Sequence, residues 1–271
     1  MELNRLSLQV TELVISSNCC NDLDALDLSK FEWLRTIEIG DGCFESVKTF
    51  KMDGLNRLKS LKVGKSSFTQ VKQEEWDLSW DQAYRQANNS SKSFHLLNCE
   101  SLKSIEIGEY SFSDFGGEFE LKSLPALQIL VIGVPGKLSS NFWWSSFVVQ
   151  DLSNLKNIKL GNCSFCLSST TVMENLPSLQ SIELGWCALE GKDNDVVCSL
   201  RLRNLPDLLS INSMEYSFYN PRTVKLENIP NLQNVKLPQA FKKVQTKSIF
   251  SNLLLEDSFY HRCFFQARES C

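Results

Sequence analysis

LKSIEIGEYSF, residues 102–112, is a segment that this 271-residue chain repeats with small changes. Close copies are LRTIEIGDGCF from Leu34, LKSLKVGKSSF from Leu58 and LKNIKLGNCSF from Leu155. Aligned on its first residue, the segment occurs nine times, usually 24 residues apart and sometimes with insertions. The nine first residues are Val10, Leu34, Leu58, Leu102, Leu127, Leu155, Leu179, Leu208 and Leu232. Self-similarity at a period in this range predicts a solenoid, whose stacked repeats share one core.

Each repeat carries two segments in which apolar residues alternate with polar ones. In Leu102-x-x-Ile105-x-Ile107 the alternation predicts a strand with one buried face. A similar alternation precedes each first residue, as in Phe94-x-Leu96, and predicts a second strand on the opposite side of the repeat. A glycine follows the first strand in six copies, where we expect a turn with positive φ. These glycines are Gly40, Gly64, Gly108, Gly133, Gly161 and Gly185.

These patterns predict an all-β-rich solenoid with two parallel strands per repeat, on opposite sides, and little helix. We expect residues 1–271 to form a single array, with about nine repeats over residues 10–237. Residues 238–271 are expected to be a degenerate cap or a truncated array. Residues 70–93 form the longest insertion, and the spacing of Trp76, Trp80 and Tyr84 by four predicts a short amphipathic helix there.

The repeat resembles the leucine-rich repeat, and the resemblance covers about residues 10–237. The Gly-x-x-Ser-Phe ending of several copies is similar to the Gly-x-x-Ala-Phe ending of BspA-like repeats. Glycine replaces the Asn or Cys position of many leucine-rich repeats, so their asparagine ladder is not expected here. The resemblance implies recognition of a protein or ligand through an extended surface, without catalysis.

The overall composition argues against two classes of partner. The chain has 28 Lys and Arg against 32 Asp and Glu, so it lacks the basic patch that binds nucleic acid. No segment approaches the ~20 apolar residues of a membrane span.

The N-terminal segment contains no apolar run of signal-peptide length, which favours a cytoplasmic location. A cell-surface location is the alternative if the chain is a fragment.

The residue types that usually carry chemistry do not form a recognisable constellation. Cys163 and Cys166 lack the second pair that a zinc site usually needs, and we expect Cys163 and Cys187 to stack as buried structural thiols. The irregular spacing of the ten cysteines favours free thiols over disulfides. Nothing in the sequence brings His95 or His261 to a nucleophile. The sequence therefore predicts no catalytic residue, no metal and no cofactor.

Apolar residues at outward positions suggest where a partner protein binds. Insertions follow Phe68, Gly133 and Leu189 at one point of the repeat, so they should emerge along one rim of the solenoid. Two of them carry tryptophan, which is enriched in binding hot spots. On the first-strand face, two central aliphatic residues replace the polar ones of other repeats. The predicted partner-binding residues are Ile129, Val131, Trp143, Trp144, Trp76 and Trp80.

The sequence predicts a non-enzymatic scaffold that recognises another protein through its strand face and its insertion-bearing rim. The alternative is a structural or adhesive protein of the cell surface. The tryptophan-bearing insertions have a second interpretation as well, since they could fold onto the edge of the solenoid and only shield its core.

Overall fold

A computed structural model describes residues 7–71 and 89–250 of the chain. They form a parallel β-solenoid of about nine coils, and each coil adds one strand to each of two nine-stranded sheets. The first sheet contains β1 (Glu12–Ile15), β3 (Thr36–Ile39), β5 (Ser60–Val63), β7 (Ser104–Ile107), β9 (Ile129–Ile132), β11 (Asn157–Leu160), β13 (Ser181–Leu184), β15 (Ser210–Ser213) and β17 (Asn234–Lys236). The second sheet contains β2 (Ala25–Asp27), β4 (Thr49–Asp53), β6 (Ser93–Leu97), β8 (Phe119–Lys122), β10 (Phe147–Gln150), β12 (Thr170–Glu174), β14 (Ser199–Arg203), β16 (Thr223–Glu227) and β18 (Thr246–Phe250).

This architecture confirms the predicted fold class, with two parallel strands per repeat on opposite sides. Residues 7–71 and 89–250 contain no helix, and hence none long and apolar enough to cross a membrane. The helix predicted around Trp76 and Trp80 lies outside the described residues. The ninth coil continues past residue 238, because β18 pairs with β16; residues 251–271 are likewise outside the described part.

Alternation along each strand separates the core from the solvent. In β7, Ile105 and Ile107 are buried while Glu106 between them is exposed. Parallel pairing places equivalent residues of successive coils beside one another, and Ile105 lies between Leu61 and Leu130 of the neighbouring strands. Burying such a side chain contributes about 1.5–3 kcal/mol. No repeat can bury its apolar face alone, and this is why the segment recurs.

A column of stacked phenylalanine rings runs through the core beside the turn that follows the first sheet. Ring centroids are 4.4 Å apart for Phe68 and Phe112, 5.0 Å for Phe112 and Phe142, and 5.1 Å for Phe142 and Phe165. Each ring comes from a residue with a left-handed backbone, which is uncommon for a bulky side chain. The φ angles are 60° at Phe44, 59° at Phe68, 57° at Phe112, 48° at Phe142 and 51° at Phe165.

Close packing between coils, not a backbone angle, explains the repeated glycine. The predicted positive φ is wrong for all but one of the six copies, since only Gly133 has it, at 72°. A Cβ atom added at Gly108 would lie 2.7 Å from the carbonyl carbon of Gly64 in the preceding coil. At Gly64 the corresponding distance to the carbonyl carbon of Gly40 is 2.6 Å. Any larger residue would push neighbouring coils apart at this turn.

Serine hydroxyl groups link the same turns from coil to coil. The Ser67 hydroxyl donates to the carbonyl oxygen of Gly40 at 2.8 Å and accepts from the backbone N–H of Cys43 at 3.1 Å. Ser111 repeats the arrangement one coil later, donating to Gly64 at 2.6 Å and accepting from the N–H of Ser67 at 3.0 Å. Both serines are fully buried, so these bonds satisfy backbone groups that water cannot reach.

An asparagine ladder occupies the corner after the second sheet. The side-chain amide of Asn175 donates to Asp151 at 2.7 Å, Asn204 donates to Asn175 at 2.7 Å, and Asn228 donates to Asn204 at 3.2 Å. All four residues have positive φ, a conformation that Asn and Asp tolerate better than most residues. The ladder lies at a different point of the repeat from the glycine position considered in the sequence.

Candidate recognition cleft

The second sheet opens between β8 and β10. These strands share one register pair, Leu121 with Val149, whereas every other pair of neighbours in this sheet shares three to five. The core rings separate as well, because the centroids of Phe119 and Phe147 are 6.1 Å apart against 5.3 Å for Phe94 and Phe119. The opening is therefore a local departure from an otherwise continuous sheet.

Unequal links explain where the opening lies. Seven positions separate the stacked ring of Phe112 from Phe119 at the start of β8, but only five separate Phe142 from Phe147 at the start of β10. The longer link contains Gly116 and Gly117. The links of these two adjacent coils therefore differ by two residues at the end of the strands where the opening begins. The Ser145 hydroxyl, 2.9 Å from the carbonyl oxygen of Phe115 and 3.1 Å from that of Gly117, bridges the coils at this end.

The opening forms a groove of about 700 Å³, called here the second-sheet cleft. One wall is the stretch 116–123 with β8, and the other consists of Trp144, Ser146, Val148, Gln150 and Asp151. β8 and β10 are four residues each, so the part of the cleft that runs parallel to the strands is about 10 Å long.

The charge lining the cleft is mainly negative. Glu118, Glu120 and Asp151 line it against the single ammonium group of Lys122. Glu118 is exposed and Glu120 is half-buried, with a side-chain exposure of 31 %. The side chain of Glu120 contacts His95 on β6, whose Nδ1 atom lies 3.1 Å from the Glu120 Oε2 atom. A cleft with this lining favours basic groups over acidic ones.

Trp143 and Trp144 belong to the regular turn into the second sheet. The segment from the repeated glycine to the stacked phenylalanine is nine positions long between Gly133 and Phe142, whereas it is four positions long between Gly161 and Phe165. The five extra residues are those around 134–138, so the tryptophans lie after the insertion. Trp143 is 5 % exposed and packs in a small apolar cluster at this turn. Trp144 is half-buried and lines the cleft, and its buried Nε1 atom has no acceptor among the described residues. The two rings thus have different surroundings.

The predicted site residues do not come together as one surface. Ile129 is 40 % exposed and Val131 is half-buried, both facing outward from β9 in the first sheet, while Trp144 lines the cleft in the second. The structure places polar neighbours beside the aliphatic pair, since Ile129 lies between Ser104 and Asn157. Trp76 and Trp80 lie outside the described residues.

The cysteine-rich turn is a packing cluster. Cys163, Cys166 and Cys187 are buried with Trp143, and all eight cysteines of the described ranges are free. The hydrogen bond with Cys163, together with burial, raises the pKa of the Cys187 thiol. Burial raises the pKa of the Cys166 thiol, whose Sγ atom lies 3.4 Å from the Glu190 carboxylate. Because the thiolate is the reactive species, these thiols are held in their unreactive form.

Sequence reasoning missed the cleft and the acidic residues that line it. Glu118 and Glu120 belong to no motif, and their importance comes from the neighbouring coil. The signal that could have found them is the unequal link length, with the Gly116–Gly117 pair on one side and the short link through Trp144 on the other.

No family model, no curated protein and no solved structure matches this chain. The repeat-based parallel β-solenoid therefore stands on the structure itself, and arguments about function must come from its surfaces.

Proposed function

We propose that this protein is a non-catalytic recognition scaffold that binds an extended, basic segment of a partner protein in the second-sheet cleft. A solenoid of this kind is compatible with a scaffold or recognition role, since stacked coils present long, regular surfaces. The resemblance of the repeat to leucine-rich repeats supports the same role. The single observation that carries the proposal is the opening of the second sheet between β8 and β10.

The shape of the cleft favours an extended peptide. It runs along the four-residue strands β8 and β10, so an extended segment of about four residues would lie along them. Other neighbouring strands of the second sheet share three to five register pairs, so the single pair between β8 and β10 distinguishes this part of the sheet within residues 7–71 and 89–250. Extended segments commonly bind along strands because the main chain supplies the hydrogen bonds and side-chain pockets supply the specificity.

The lining of the cleft favours a basic segment with an apolar residue. Three carboxylates and one ammonium group leave a net charge of about −2 along the walls, which attracts Lys and Arg and speeds their association. Trp144 offers a partly exposed aromatic surface, and tryptophan is enriched among residues that dominate binding energy.

The test selects binding peptides and then asks which face they use. Random peptides of about ten residues, long enough to span the cleft when extended, are displayed on phage and selected against the full chain. Binding of the enriched peptides is then measured for Val148→Arg and Val131→Arg. Both valines are half-buried and face outward in the same coil, Val148 on β10 beside the cleft and Val131 on β9 in the first sheet.

We expect the enriched peptides to be rich in Lys and Arg and to lose at least tenfold in affinity for Val148→Arg, while Val131→Arg binds them normally. The reverse pattern would move the site to the first sheet, where the sequence predicts partner binding through Ile129 and Val131. Peptides that bind both variants like the unchanged protein would refute both surfaces. Circular dichroism and urea unfolding of both variants provide the folding control.

A further inference from the structure

Three potential metal ligands meet on the outer face of the second sheet. His95 lies on β6 directly opposite Glu120 on β8, and Glu118 precedes β8 with its side chain on the same face. The ligand atoms of the three side chains lie within 4.8 Å of one another, and the His95 Nδ1 and Glu120 Oε2 atoms are 3.1 Å apart. Residues from two strands thus converge although 22 residues lie between His95 and Glu118 in the chain.

We infer that His95, Glu118 and Glu120 bind a divalent transition metal ion of the zinc type. Bonds of about 2.0–2.2 Å to imidazole nitrogen and carboxylate oxygen place neighbouring ligand atoms of a tetrahedral site about 3.4 Å apart. The 3.1 Å separation of His95 and Glu120 is already close to this value. Glu118 needs only a side-chain rotation, since it is exposed and precedes the strand.

The chemistry of the ligand set selects the class of metal. Imidazole nitrogen suits zinc, copper, iron and nickel, whereas calcium and magnesium prefer oxygen ligands alone. One imidazole with two carboxylates is a mixed nitrogen and oxygen set that zinc accepts. Three protein ligands leave at least one position for water, and Glu118 and Glu120 line the open cleft. The site has the composition of an open centre instead of a closed structural one.

The local charge supports a bound cation. Several outward acidic residues elsewhere on the solenoid are paired with a basic neighbour, as Glu38 is with Lys62 at 3.2 Å and Glu183 with Lys159 at 2.7 Å. Within the described part of the chain, no lysine or arginine forms an ion pair with Glu118 or Glu120. Two carboxylates on one small patch therefore lack a basic partner other than His95, and a divalent ion would supply the missing charge.

The backbone holds two of the ligands in place. β6 and β8 pair over four residues, from Phe94 with Phe119 to Leu97 with Lys122. The ladder fixes the relative positions of His95 and Glu120 before any metal arrives, which lowers the ordering cost of binding. Glu118 and Glu120 also line the second-sheet cleft, so a bound divalent ion would offset its net charge of about −2, and the selection of basic peptides applies to the metal-free protein.

The test measures zinc binding by the full chain after treatment with a chelator. Isothermal titration with Zn²⁺ is carried out on the unchanged protein and on His95→Gln, Glu120→Gln and Cys166→Ser. The cysteine variant is the necessary control, because thiols are strong zinc ligands and Cys166 belongs to the buried thiol cluster. Cobalt substitution adds a spectroscopic readout, since thiolate ligands give an intense charge-transfer absorption that nitrogen and oxygen ligands lack.

We expect one zinc ion per chain, at least tenfold weaker binding for His95→Gln and for Glu120→Gln, and unchanged binding for Cys166→Ser. The cobalt spectrum should lack the thiolate band. Equal zinc affinity in all four proteins, or loss of binding in Cys166→Ser alone, would overturn the proposal. Urea unfolding without metal verifies that His95→Gln and Glu120→Gln are folded. Added zinc should raise the unfolding midpoint of the unchanged protein and not that of these two variants.

Discussion

Replacing Phe112 tests the unusual backbone of the stacked ring column. The ring is fully buried, stacks between Phe68 and Phe142, and meets Phe50, Phe94 and Phe115 edge-on at centroid distances of 5.6, 5.3 and 4.9 Å. Removing it in Phe112→Ala should lower the free energy of unfolding by about 3–5 kcal/mol, the usual range for a buried phenylalanine. This effect alone would be expected at many core positions.

The informative comparison is between alanine and glycine at the same position. The φ of 57° at Phe112 costs an L-residue about 1–2 kcal/mol, and glycine does not bear this cost. Phe112→Gly should therefore be about 1 kcal/mol more stable than Phe112→Ala. Phe94 is the matched control, because it is equally buried but lies within strand β6. There glycine should be about 0.5–1 kcal/mol less stable than alanine.

Urea unfolding of the four variants, followed by circular dichroism and compared at equal slope, measures these differences. At each site we compare the free energy of unfolding of the glycine variant with that of the alanine variant. This difference should have opposite signs at Phe112 and Phe94, and the two values should lie about 2 kcal/mol apart. If glycine is worse than alanine at both positions, the left-handed conformation does not strain the chain at Phe112. The ring column would then be explained by packing alone.

Other predictions concern buried charge, core polarity and pH. Ile105→Asp should destabilise the protein by more than about 4 kcal/mol, because it buries an unpaired charge. Glu106→Gln on the exposed face should change the free energy of unfolding by under about 0.5 kcal/mol, and urea unfolding compares the two variants. Lys92→Met should cost about 3–5 kcal/mol by orphaning the buried carboxylate of Asp114, 2.7 Å from the lysine Nζ, and adding Asp114→Leu should restore most of the loss. Burial raises the pKa of the Cys99 thiol to about 11. Its contribution to stability should be complete below about pH 9, the pKa region of an unfolded thiol, and should fade as the pH rises towards 11, with a smaller decline in Cys99→Ala.

The fold could be predicted because its evidence is local and repeated. The alternation in Leu102-x-x-Ile105-x-Ile107 identifies a strand and its buried face, and the 24-residue period stacks the copies without further information. The same alternation correctly places Ile129 and Val131 on the outer face of the first sheet. Five extra residues around 134–138 lengthen the segment between Gly133 and Phe142. The sequence therefore does not align Phe142 with the phenylalanines of the other coils, and it predicts that Trp143 and Trp144 belong to the insertion.

The candidate sites could not be predicted because they depend on neighbouring coils that differ. The cleft arises from a mismatch between two links, and neither link looks unusual alone. His95 and Glu120 meet only through the pairing of β6 with β8. The repeated glycine also needed the structure for its explanation, because either a positive φ or close approach of a neighbouring coil can favour glycine. Only the contact of Gly108 with Gly64 distinguishes close approach from a special backbone angle.

The serine bonds between turns give the array a direction. Ser67 serves two backbone groups of the coil before it, and Ser111 serves two groups of the coil that contains Ser67. Each of these two turns is thus completed by a serine of the following coil. During synthesis on a ribosome, a newly emerged coil would retain unmet polar groups until about one more repeat had followed, so we expect ordering to trail the exit tunnel by one coil and to advance from the amino-terminal side. An internal deletion of whole coils should accordingly preserve order best when every retained turn keeps a serine-bearing coil behind it.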